Sequence, residues 1–94
     1  MKKIKNLIFP VAALCLLLGV QACAPTAVQK EQAEVFLHKG TSYIELEQYP
    51  NALKELLEAE KYNPQDERIY YHMGIVYLAM NMRDKAFESF ERAI

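Results

Sequence analysis

Two histidines, His38 and His72, occupy the same place in two successive segments of this chain and are its sharpest chemical feature. Imidazole nitrogens suit zinc, but a structural zinc site takes four ligands and a catalytic one three. No third ligand stands here at an obvious spacing, so the plainer reading is two polar residues lining a shared surface. Glu55, Glu58 and Glu60 are interleaved with Lys54 and Lys61, the usual mark of a solvated helix face. HExxH, GxSxG, P-loop and CxxC motifs are all missing, and the chain has only two serines. The residue types therefore assign no catalytic residue, no metal and no cofactor, and the expected class is non-enzymatic.

The cysteines carry a different chemistry. Lys2, Lys3 and Lys5 precede an apolar run from Leu7 to Val20, interrupted by Pro10 and followed by Val20-Gln21-Ala22-Cys23. A basic segment, a short apolar segment and a small residue before a processing point are the marks of a secretory signal. The run is too short for the roughly 20 residues that span a bilayer. Cys15 lies within it and is lost on cleavage, which leaves Cys23 as an odd thiol in an exported chain. Val20-Gln21-Ala22-Cys23 resembles a bacterial lipobox, in which the cysteine is acylated and becomes the new N-terminus. Two or more acyl chains anchor stably where one does not. In the lipoproteins this resembles, Ala24 rather than Asp after the cysteine implies sorting to the outer membrane, with the body in the periplasm.

Charge agrees with a partner other than nucleic acid. Without the three leader lysines, residues 23–94 carry eight basic and twelve acidic side chains, net −4. An acidic body repels a phosphate backbone.

The elements that must position His38 and His72 follow from an internal repeat. Gly40 recurs as Gly74, Tyr43 as Tyr77, Ala52 as Ala86 and Ala59 as Ala93, always at the interval that separates the histidines; Phe36 answers to Tyr70 and Leu56 to Phe90. Small residues at 40 and 52 allow two antiparallel helices to approach, and the large ones fill the space beside that contact. On these residues, with Pro64 and Met73, the chain resembles the tetratricopeptide (TPR) repeat family. Lys39 departs from the pattern, standing where the second unit has Met73; its stem can lie on apolar surface while the ammonium reaches water. The resemblance implies an all-α fold of antiparallel helix-turn-helix units in a right-handed solenoid fragment, preceded by a signal peptide.

The expected organisation is a leader over 1–22, acylated Cys23 and a tether over 23–32, a first repeat over 33–66 and an incomplete second over 67–94. Thr26 and Gln29 have capping-box spacing, so the first helix can begin at Ala27 and run to about Leu46. The second is expected from Pro50 to Tyr62, ahead of Pro64. The third is expected from an Asp66 N-cap through Met80 and the fourth from about Asp84 to Ile94. Asn81 tolerates a left-handed C′ position. Phe87, Phe90 and Ile94 form an apolar edge, from which either a longer natural chain or self-association is expected.

The family's inner, concave surface takes peptides or helices. By register it is lined here by Leu37, His38, Thr41, Ile44 and Glu45, then by Arg68, Tyr71, His72, Ile75, Leu78 and Ala79. The expected partner is a protein or peptide with apolar side chains. In architecture the chain resembles the TPR lipoproteins of type IV pilus biogenesis that escort secretins to the outer membrane, and those that gather cell-wall hydrolases. A metal-binding protein built on His38 and His72, or an enzyme with its catalytic part beyond Ile94, are the readings of other classes.

Overall fold

The computed structural model describes residues 24–94, so the leader and the lipobox cysteine Cys23 lie outside the described residues. Four helices follow one another in the described part: α1 (Ala27–Glu45), α2 (Tyr49–Tyr62), α3 (Glu67–Ala79) and α4 (Arg83–Ala93). The fold is all-α. α1 and α2 form one antiparallel hairpin, α3 and α4 a second, and the two meet mainly through α2 and α3.

Each boundary has a local cause. Thr26 accepts from the backbone of Gln29 (3.2 Å) while the Gln29 side chain accepts from the backbone of Thr26 (3.0 Å), a complete capping box. α1 closes with a Schellman motif, Gln48 N–H donating to Tyr43 and Glu47 N–H to Ile44, both at 2.9 Å. α3 closes in the same way at the equivalent residues, Met82 donating to Tyr77 and Asn81 to Leu78. The left-handed residues are Asn81 (φ 62°), as expected, and Glu47 (φ 57°), which composition alone does not suggest. α2 starts at Tyr49, one residue before Pro50, and ends where Asn63 leaves the helical region (φ −144°, ψ 81°) ahead of Pro64. Asp66 caps α3 by accepting from Arg68 N–H at 3.0 Å.

The core lies along the α2–α3 seam. Leu56, Ile69 and Val76 are fully buried, with Ala52 and Ala59 beside them. Each such large aliphatic contributes about 1.5–3 kcal/mol relative to exposure. The repeat glycines are explained by contact distances. A Cβ on Gly40 would sit 2.9 Å from Leu56, and one on Gly74 would sit 2.6 Å from the Phe90 ring. Only hydrogen at these positions lets each hairpin close. Lys39 lies 5.5 Å from the Phe36 ring centroid, exposed, as a snorkelling lysine should be.

Candidate functional site

α1 and α3 run side by side, and the surface they share is the one the repeat register marks as concave. Its residues are not equivalent once folded. Leu37 is 5% exposed and belongs to the core, so it supports this surface rather than presenting it, which corrects the expectation that it lines the groove. The cause is the second hairpin, whose apolar side chains join Leu37 in a single cluster. Among the described residues its repeat equivalent Tyr71 has no such cover and is 52% exposed. Ile44 and Ile75 are half-buried, Thr41 is half-buried with its hydroxyl donating to the His38 carbonyl (2.9 Å), and Glu45 and Ala79 are exposed. Leu78 is 56% exposed.

Tyr71 and Leu78 thus project from a helix whose opposite side is anchored by Ile69, Met73 and Val76. A large ring and an aliphatic side chain, two turns apart on a rigid helix, present a preformed apolar surface at little further entropic cost. Tyr71 is also oriented from both sides, edge-on to His72 (5.4 Å, 71°) and tilted against Phe90 (6.1 Å).

The two histidines part company. His38 is exposed and its Nε2 lies 3.5 Å from Glu34 Oε1. With Val35, Lys39, Ser42 and Leu46 it lines a cavity of 540 Å³ on the side of α1. His72 is half-buried, and burial followed by the nearby Arg68 guanidinium pushes its pKa below the usual histidine value. Among the described residues no group of three or more His, Cys, Asp or Glu is arranged to hold a metal ion.

Arg68, expected in the groove, has its charge fully engaged within the protein. Its guanidinium donates to both oxygens of Glu34 (3.2 and 2.6 Å) and to both oxygens of Asp66 (3.1 and 2.7 Å). Those hydrogen bonds hold the Glu34 and Asp66 carboxyls below their usual pKa and push Arg68 higher still. An arginine so engaged has little left to offer a ligand carboxylate, and the surface is an apolar one with a neutralised ionic end. Sequence reasoning missed the pairing, although Glu34 and Arg68 are opposite charges at equivalent repeat positions. It also missed Arg92, which donates to Glu60 (3.2 Å) and to the Tyr70 hydroxyl (3.0 Å) with its guanidinium 4.2 Å from the Tyr70 ring.

Residues 40–81, spanning the end of α1 through α3, match the family model described as TPR repeat. Repeats of this kind are typically non-enzymatic protein-interaction modules, which supports a scaffold that binds a protein partner. No curated protein and no solved structure matches the chain.

Proposed function

We propose that this protein is a lipid-anchored, non-enzymatic scaffold that holds a protein or peptide partner on the inner surface of α1 and α3 at the periplasmic face of the bacterial outer membrane. The observation that carries the binding reading is the pair Tyr71 and Leu78, both more than half exposed on an otherwise anchored helix. A partner with apolar side chains is the one such a surface rewards. The test is partner affinity: Tyr71→Ala weakens it, and the helices stay intact.

The anchoring part rests on the basic leader, the short apolar run and Val20-Gln21-Ala22-Cys23. Among the described residues no helix is long and apolar enough to cross a membrane. Pilus or secretin assembly is the setting that this architecture of signal, lipid cysteine and repeats supports. Metabolic labelling with a fatty acid checks the anchor. Cys23→Ala is expected to abolish the label and leave a retained precursor; a labelled, membrane-partitioning Cys23→Ala chain of mature size contradicts it.

A further inference from the structure

The junction between the two hairpins is an apolar ridge with one ionic tie on either side. The ridge is the α2–α3 seam, where Leu56, Ala59, Ile69 and Val76 are all fully buried. Apolar contact of this kind resists separation and has little directional preference, so it tolerates rolling of one hairpin on the other. On the α1–α3 side, Arg68 reaches across to Glu34 at the equivalent position of the first hairpin, and is held in place by Asp66. On the α2–α4 side, Arg92 reaches Glu60 and stacks on Tyr70, whose hydroxyl in turn donates to the Pro64 carbonyl at 2.7 Å in the inter-repeat turn. In both ties the first hairpin supplies the glutamate and the second the arginine.

We infer that these are opposed ties that set the angle between the hairpins, and with it the width of the α1–α3 surface. Rolling hairpin two one way about the ridge lengthens the Glu34–Arg68 tie and relaxes Glu60–Arg92; rolling the other way does the reverse. Directional, charge-assisted hydrogen bonds supply the angular preference that the apolar ridge lacks. The ties set this angle whether or not the surface takes a partner.

Spin-label distances test it directly. In the full chain with Cys15→Ser and Cys23→Ser, one label pair is placed on the inner helices (Glu45→Cys, Ala79→Cys) and, separately, one on the outer helices (Lys54→Cys, Glu88→Cys). Each pair joins equivalent repeat positions of the two hairpins, and all four residues are exposed. Arg68→Gln is expected to lengthen and broaden the inner distance without lengthening the outer one. Arg92→Gln is expected to do the opposite. Should either arginine variant lose helicity, Glu34→Gln or Glu60→Gln removes the same tie from the other hairpin and carries the same expectation. Unchanged distances in both variants, or a shift of both pairs in the same sense, overturn the inference.

Discussion

At the scale of single residues, the repeat glycines and His72 make the clearest claims. Gly40→Ala should gain up to about 1 kcal/mol in helix propensity. Against that, the new Cβ meets the Leu56 side chain at 2.9 Å, and Leu56 is fully buried and cannot swing aside. Overpacking of this sort costs about 1–3 kcal/mol, so the expected outcome is a net loss near 1 kcal/mol in thermal or urea unfolding; a stabilised Gly40→Ala contradicts the packing account. His72 gives a pH dependence. Its folded pKa is lowered by burial, so between that value and the ordinary histidine pKa of about 6.5 the unfolded chain binds more protons. Stability should therefore fall as pH drops below about 6.5. It should fall again near the ordinary carboxylate range, because Asp66 and Glu34 are lowered by Arg68 and contribute fully only above it. Melting temperature against pH, with His72→Gln as comparison, checks the first step: the variant should lose it, and a retained step contradicts the assignment.

How far these residues can be read from sequence depends on what fixes them. Gly40, Gly74, Ala52 and Ala86 are set by the closeness of two helices within a hairpin, and the repeat register exposes that pattern directly. Leu37 cannot be placed the same way, because it joins the apolar cluster of the second hairpin while Tyr71, its equivalent, has no such neighbour among the described residues. The histidines differ in the opposite sense, the second-hairpin His72 being half-buried and the first-hairpin His38 exposed. Equal register does not mean equal surroundings.

At the scale of elements, the helix ends are legible wherever side-chain chemistry makes them. Thr26 with Gln29, Asp66 and Pro64 are such cases. Glu47 is not, because its left-handed backbone is imposed by the Schellman hydrogen bonds rather than by its own preference. An L-residue in that region costs about 1–2 kcal/mol. Glu47→Gly relieves the strain and gives back about 0.5–1 kcal/mol in unfolded-state entropy. A net stabilisation of about 0.5 kcal/mol is expected in urea unfolding, with a smaller effect for Asn81→Gly, since asparagine tolerates the conformation. A destabilised Glu47→Gly chain contradicts the cap.

At the scale of the whole molecule, two hairpins are joined by an apolar seam and two ionic ties. Residues 40–81, which match the TPR repeat model, include the seam and all of α3. The central claim is that Tyr71 on that helix is a binding residue while its neighbour Gly74 is a packing residue. The direct measurement is affinity for a partner captured by crosslinking, together with circular dichroism, for Tyr71→Ala and Gly74→Leu. Tyr71→Ala is expected to weaken binding by about 1–3 kcal/mol, the range of an interface anchor, with helicity unchanged. Gly74→Leu is expected to lose stability, because even a Cβ there lies 2.6 Å from the Phe90 ring. If Tyr71→Ala unfolds the protein as badly as Gly74→Leu, or leaves affinity untouched, the inner surface of α3 is not where the partner binds.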